Sequence, residues 1–162
     1  MDDPLVTDDA RALVADLIVR HQSVATAESL TAGLLAATLA GVPGASSVLR
    51  GGLIAYVEDT KISLAGVAPQ VLDAVGPVSA PTARALAVGA RQRCAATWGI
   101  GLTGVAGPDE QGGNPVGTVF LGLAGPVDTD VVQLAFTGTR WDIRVAAVNE
   151  AIARLRVMVG HQ

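Results

Sequence analysis

At 162 residues, half of them hydrophobic, the chain is long enough to bury a sizeable core, and residues 1–162 read as a single domain. Aromatic residues make up only 3%, so Val, Leu, Ile and Ala must build that core. A net charge of −4 and a pI near 5.0 argue against a general electrostatic surface for nucleic acid, although a local basic pocket for one phosphate stays open.

A single cysteine, Cys94, leaves no intramolecular disulfide and fits a reducing cytoplasm. Mean hydropathy is high at +0.46, but charges, Gly or Pro interrupt every apolar stretch before the roughly 20 residues that span a bilayer. The start, MDDPLVTDDA, is acidic, the opposite of a signal peptide's basic start. The expectation is a cytoplasmic protein with no membrane or nucleic-acid partner, its extra apolar surface buried in a homo-oligomer.

In chain order, a helix is predicted from about Pro4 to His21, with an apolar stripe at Ala10, Leu13, Val14, Leu17 and Ile18 and Thr7 as its N-cap. A short extended segment, Ser23 to Ala27, leads into a second helix through Leu34, Leu35 and Leu39 that stops at Gly41-Val42-Pro43-Gly44. Gly51 to Val57 reads as a buried strand, followed by a short helix around Lys61. Pro69 opens another helical turn. Ser79 or Ala80 starts a longer helix to Arg93, with Pro81 in its first turn. Strands are predicted at Trp98 to Thr103, Thr118 to Leu123 and Asp130 to Phe136. The last helix runs from about Arg140 to Val159 with a seam at Trp141, Val145, Val148, Ile152, Leu155 and Val159. Strands interleaved with helices predict a three-layer α/β/α sandwich with a mostly parallel or mixed sheet.

Four stretches can carry chemistry. ATAESLTAG, residues 25–33, puts Ser29 and Thr31 between a strand and a helix, where either caps the helix or Ser29 acts as a nucleophile near free backbone N–H groups. Lys61 is the only lysine among the fixed cations. It reads either as a solvated charge or as a base, a role arginine cannot fill because guanidinium does not deprotonate. His21 and His161 are poorly placed to serve as a triad base. TGVAGPDEQGGNPVGT, residues 103–118, is a surface loop or a backbone cradle for a ligand, and it matches neither the phosphate-binding loop nor the dinucleotide fingerprint. Asp109 and Glu110 lack neighbouring ligands, so no metal is expected. Arg140 and Arg144 share a helix face, as solvated charges or as a phosphate clamp.

The ordered series TAES-x-T-x-G, GG-x-I-x-Y-x(4)-K, PVS, TG-x-AGP, NPVGTV and R-x-x-I-R resembles the nicotinamide-nucleotide amidohydrolases, or NMN deamidases. These form the C-terminal domain of CinA-type competence-damage proteins. The similarity runs from about Val6 to Val159. It implies metal- and cofactor-free hydrolysis of the carboxamide of nicotinamide mononucleotide (NMN) in pyridine-nucleotide recycling. The implied nucleophile is Ser29 and the implied base is Lys61. Tyr56, Thr31, Gly33, Thr103, Gly104, Gly107 and Arg144 are implied contacts of the pyridine-nucleotide substrate, with Arg144 toward its phosphate. Amides from Leu30 to Gly33 are the implied oxyanion donors.

The resemblance has departures. Leu30 and Ala32 stand where the family usually has Cys and Gly in AESCTGG, Glu58 where many members have Asn, and Asn114 where many have Lys. If position 32 needs positive φ, alanine there costs roughly 1 kcal/mol. Glu58 beside Lys61 favours the charged amine. Two other readings share the same fold: a nucleotide-binding protein with weak or no turnover, and an amidohydrolase with a different substrate. The family's two-domain members carry an N-terminal domain that is not expected within these 162 residues.

Overall fold

The computed structural model describes residues 3–161, so Met1 and Asp2 of the acidic start, and Gln162, lie outside the description. Five strands form one sheet in the order β2-β1-β3-β4-β5, comprising β1 (Val24–Glu28), β2 (Leu49–Ile54), β3 (Trp98–Gly104), β4 (Thr118–Ala124) and β5 (Thr129–Ala135). β1 runs parallel to both β2 and β3, whereas β3, β4 and β5 are mutually antiparallel neighbours. The sheet is therefore mixed. The helices are α1 (Asp8–Val19), α2 (Leu34–Ala40), α3 (Glu58–Ser63), α4 (Pro69–Val75), α5 (Ala80–Arg93) and α6 (Arg140–Gly160).

Alternation along the central strands sorts the core into two faces, because successive side chains point to opposite sides of a sheet. Val24, Trp98, Ile100, Leu102, Val119, Leu121 and Leu123 pack with buried residues of α1, α2 and α6. Ala25 and Ala27 face the other way, onto Leu86 and Ala90 of α5, Leu72 of α4 and the segment after α3. The predicted three-layer α/β/α sandwich is what the chain forms. Trp98, fully buried, donates its indole N–H to Gln22 Oε1 at 2.8 Å, so the buried indole leaves no donor unpaired.

The α5 layer sits unusually close to the sheet. A Cβ at Gly99 would lie 2.0 Å from the Ala87 carbonyl oxygen, and one at Gly101 or Gly122 would lie 2.5 or 2.4 Å from that of Ala83. The glycines on this face of β3 and β4 are the side-chain-free floor on which the alanine-rich helix rests.

Most predicted boundaries stand within a residue or two. Thr7 and Ser79 cap α1 and α5 through Ala10 N–H and Thr82 N–H. Two expectations change. The strand predicted over 51–57 is β2, shifted to Leu49–Ile54; it is an edge strand of alternating half-burial, and Tyr56 and Val57 beyond it are about half exposed. An edge strand pairs on one side only, so apolar residues there do not imply full burial. On α6 the buried stripe is Ile143, Ala147, Val148, Ala151, Ile152, Leu155 and Val159, while Trp141 is 52% exposed. Alanines complete the true stripe, and their weak apolar signal let the larger Trp141 appear to lead it. Among the described residues, no helix is long and apolar enough to cross a membrane.

Candidate active site

The three mutually parallel strands end at the same edge of the sheet. Ser29 follows β1, the Ala55-to-Lys61 segment follows β2, and Thr103 to Gly107 end β3 and enter the loop beyond it. The chain leaves β1 for β2 on one side and then crosses to β3 on the other. This is the reversal of strand order at which open α/β sheets place their ligand crevice. A cavity of about 390 Å³ opens there, walled by Ser29, Leu30, Tyr56, Glu58, Lys61, Pro77, Val78, Thr103 to Gly107, Asp109, Gln111 and Arg140.

At its base Lys61 Nζ lies 3.0 Å from Ser29 Oγ, 2.9 Å from the Ala55 carbonyl and 3.0 Å from the Tyr56 carbonyl. Lys61 is only 2% exposed and Ser29 8%. Three neighbours around one nitrogen suit either protonation state. An ammonium donates to all three, and the serine hydroxyl then turns to the Tyr56 carbonyl at 3.4 Å. A neutral amine keeps both carbonyls with its two N–H groups and offers its lone pair to the serine hydroxyl. Burial pushes the Lys61 pKa below its ordinary value, and the Glu58 carboxylate opposes this by stabilising the cation. The solvated reading of Lys61 is therefore excluded.

The turn that carries Ser29 is held from several sides. Ser29 N–H donates to the Leu102 carbonyl at 2.9 Å, tying the serine to the end of β3. Ala32 adopts φ +47° and Gly33 φ +96°, so the expected strain at position 32 is present. Ala32→Gly is expected to raise stability by about 0.5–1 kcal/mol, because the Cβ that disfavours this conformation is removed at some cost in unfolded-state entropy. A higher urea midpoint at unchanged slope checks it.

The helix cap comes from neither Ser29 nor Thr31. Glu28, 1% exposed, accepts N–H donations from Leu35 at 2.9 Å and Ala36 at 3.1 Å, and a hydroxyl donation from Thr26 at 3.0 Å. This carboxylate sits at the positive end of α2 and satisfies its first amides. Ser29 is thereby left for other chemistry. The signal was an acidic residue closing the otherwise apolar strand VATAE. It was overlooked because capping is usually sought within a residue of the helix, and here the turn through residues 29–33 brings the cap back from further away.

The structure brings Ser29, Lys61, Tyr56, Thr103, Gly104 and Gly107 together around the cavity. Thr103 donates its hydroxyl to the Pro77 carbonyl at 2.7 Å, closing the wall behind it. Thr31, Gly33 and Arg144 are not on the cavity wall. Thr31 is buried in the turn, its Oγ1 without a hydrogen-bond partner. Arg144 does not reach the cavity as a phosphate contact. Its Nε donates to the Leu30 carbonyl at 2.9 Å and its Nη2 to the Thr31 carbonyl at 3.2 Å, with the guanidinium 5.8 Å from the Trp141 ring centre. Arg140, one helical turn earlier, takes the position expected of Arg144: it donates to Tyr56 Oη at 2.8 Å and to the Gly107 carbonyl. Neither histidine lines the cavity. Among the described residues, no group of three or more His, Cys, Asp or Glu is arranged to hold a metal ion.

Fold and site together define a mixed-sheet α/β/α protein with a buried serine–lysine pair at the switch point of its sheet. The family model of the CinA C-terminal domain matches residues 7–159. A CinA-like protein of Anaeromyxobacter sp. (strain Fw109-5) is 49% identical over 148 residues, covering 90% of this chain and 36% of its own length. One from Frankia casuarinae is 45% identical over 153 residues, 94% of this chain and 35% of its own. The chain thus spans about a third of the length of the curated relatives it matches. Among solved structures, a CinA superfamily protein from Klebsiella pneumoniae 700603 superposes with a TM-score of 0.93 at 26% identity, covering 96% of this chain and 98% of that one. The competence/damage-inducible protein CihA from Agrobacterium tumefaciens gives 0.88 at 31%, covering 98% and 99%. The chain belongs to the CinA C-terminal domain family.

Glu58 gives the site a testable pH signature. Its carboxylate favours the ammonium of Lys61, whereas the base role that the resemblance implies for Lys61 needs the neutral amine. Glu58→Gln removes that support, lowers the Lys61 pKa further and enlarges the neutral fraction near pH 7. The rising limb of the rate against pH is expected to move to lower pH in the variant, read from initial rates across a buffer series.

Proposed function

We propose that the protein hydrolyses the carboxamide of nicotinamide mononucleotide, giving nicotinate mononucleotide and ammonia through a metal-independent serine–lysine mechanism. The observation that carries this reading is the 3.0 Å contact between Ser29 Oγ and a buried Lys61 Nζ at the base of the cavity. Its volume of about 390 Å³ lies within the usual range for small-molecule sites.

In this reading neutral Lys61 takes the Ser29 proton as Oγ attacks the amide carbon, and the carbonyl oxygen becomes an oxyanion. Lys61 then returns the proton to the departing nitrogen, the C–N bond breaks and ammonia leaves an ester on Ser29. Water, deprotonated by the same amine, attacks that ester, and the proton passes back to Ser29 Oγ as the carboxylate product departs. The carbonyls of Ala55 and Tyr56 hold the amine in one orientation throughout. Ser29 N–H is taken by the Leu102 carbonyl and Ala32 N–H by that of Ser29, whereas the amides of Leu30, Thr31 and Gly33 have no hydrogen-bond acceptor, and of these three residues Leu30 alone lines the cavity. The Leu30 amide is the oxyanion donor of this proposal. Arg140 at the wall is assigned to the nucleotide phosphate, and the Glu58 and Asp109 carboxylates favour a cationic pyridinium ring.

The test is a substrate panel with the purified protein: NMN, nicotinamide, and an amide without a pyridine ring. Ammonia released from NMN with equimolar nicotinate mononucleotide supports the reading. Release only from another amide transfers the same chemistry to a different substrate. Tight NMN binding with no ammonia favours a binding protein, a reading to which the cation-stabilising Glu58 lends support.

A further inference from the structure

Between α4 and α5 the chain passes the cavity as Gly76-Pro77-Val78, a stretch that belongs to neither helix nor strand. Its three successive carbonyls take no backbone N–H. Each is held instead by a side chain from a different part of the fold. Thr82, in the first turn of α5, donates its hydroxyl to the Gly76 carbonyl at 2.8 Å, and Thr103, in β3, donates to that of Pro77 at 2.7 Å. Asn114, from the tight turn at 111–114, donates from Nδ2 to the Val78 carbonyl at 3.2 Å. Val78 itself packs with Ala83, Val105 and Phe120. Pro77 and Val78 also line a second cavity, of about 230 Å³, which adjoins the first and is bounded in addition by Val75, Gly76 and Gly112. No atom lies within 4 Å of a Cβ added at Gly76 or Gly112, so that side has open room. A segment bordered by two cavities lacks close packing there, and atoms facing a void lose their contact partners. The three side-chain bonds hold what packing does not. Supporting hydrogen bonds of this kind are what keep a binding shape within a fraction of an ångström.

We propose that Pro77 and Val78 form the specificity wall of the site and set the width open to the acyl part of the substrate. Thr82, Thr103 and Asn114 are then positioning residues that keep the wall from yielding into the second cavity. The wall presents proline and valine carbons, and Val105 and Ala106 also line the cavity, so the acyl group it fits is flat and apolar on one face, as an aromatic carboxamide is. The inference rests on the serine–lysine hydrolase reading for its chemistry and adds to it the residues that select the substrate. Loss of one supporting bond changes which acyl groups are accepted without disabling Ser29.

The experiment compares wild type, Asn114→Ala, Val78→Ala and the double variant, with thermal unfolding to establish that each is folded. Acylation of Ser29 by p-nitrophenyl acetate and by p-nitrophenyl hexanoate is followed as p-nitrophenolate release, with Ser29→Ala as the blank, and calorimetry gives Kd for NMN. Asn114→Ala is expected to raise the hexanoate-to-acetate rate ratio by about 3- to 10-fold, the worth of one neutral hydrogen bond, and to weaken NMN by a similar factor. Damage to the fold or to the serine–lysine pair would lower both ester rates alike and leave the ratio unmoved. Val78→Ala is expected to shift the ratio in the same direction. The double variant should go little beyond the larger single shift, because both changes act on one wall. Thr82→Val serves as the second probe if Asn114→Ala does not fold. Its shift is expected to be smaller, since Ser79 Oγ lies 3.1 Å from the Gly76 carbonyl and can take over as donor. An unchanged ratio in the folded variants, or fully additive shifts in the double variant, overturns this inference and leaves the hydrolase reading standing. If NMN is inert in wild type but the esters acylate Ser29, the ratios decide in the same way. If neither NMN nor the esters react at Ser29 in wild type, the hydrolase reading fails and this inference fails with it.

Discussion

Lys61→Arg is expected to lower ammonia release from NMN by about 10³-fold or more while the protein stays folded, a loss within the range for a positioned base. Arginine keeps the positive charge and can still donate to the Ala55 and Tyr56 carbonyls, but its guanidinium does not release a proton at any pH the fold tolerates. The substitution therefore separates the charge of position 61 from its basicity. The site is tight, with Lys61 2% exposed, so the larger head group strains the neighbouring turn. Lys61→Met, close in length and without charge, covers that case: it must be equally inactive if basicity is what matters. Circular dichroism and thermal unfolding establish that both variants are folded, and initial rates give the loss. A rate within a fewfold of wild type in folded Lys61→Arg would remove Lys61 from the base role.

A large effect on stability is expected at Gly99. Its added Cβ would come within 2.0 Å of the Ala87 carbonyl oxygen and 2.8 Å of the Arg91 backbone nitrogen, both part of α5. Neither is the end of a flexible side chain, so the whole helix must lift from β3. A destabilisation of about 3 kcal/mol is expected, at the upper end for overpacking. The same shift would disturb the end of β3, where the Leu102 carbonyl anchors Ser29 N–H and Thr103 lines the cavity. Gly99→Ala should thus lose activity at temperatures where wild type is fully active. Urea unfolding measures the first effect, and a rate-against-temperature profile the second. Gly76→Ala is a useful contrast for crowding, since no atom lies within 4 Å of its added Cβ and only its positive φ is strained.

The fold was legible because each element carries its own signals. Apolar periodicity marks α1, Thr7 and Ser79 cap where capping residues are expected, and Pro69 and Pro81 lie in first turns. What escaped is what depends on neighbours. The half-exposed edge strand β2 has the composition of a buried one, and edge position is a property of the sheet. The α6 stripe is completed by alanines, which local hydrophobicity cannot rank against Trp141.

The candidate site divides the same way. Ser29 and Lys61 stood out by chemistry: a serine after a strand and the single lysine of an arginine-rich chain. Their contact spans 32 positions and could be known only from the parallel pairing of β1 with β2. Arg140 and Arg144 share a face at the start of α6, and residue type does not distinguish them. The fold does: one turn of helix places Arg140 beside Tyr56 at the cavity and sends Arg144 to the carbonyls of the nucleophile turn. Glu28 was visible in TAES but uninterpreted, since its role as the cap of α2 depends on the path of the five residues that follow it.

The central claim is that Ser29 and Lys61 act together on an amide. Ammonia release from NMN, measured side by side for wild type, Ser29→Ala and Lys61→Arg, tests it most directly. The account predicts turnover by wild type, with nicotinate mononucleotide formed in equal amount, and loss of both products in each folded variant. Undiminished turnover in either variant would contradict it.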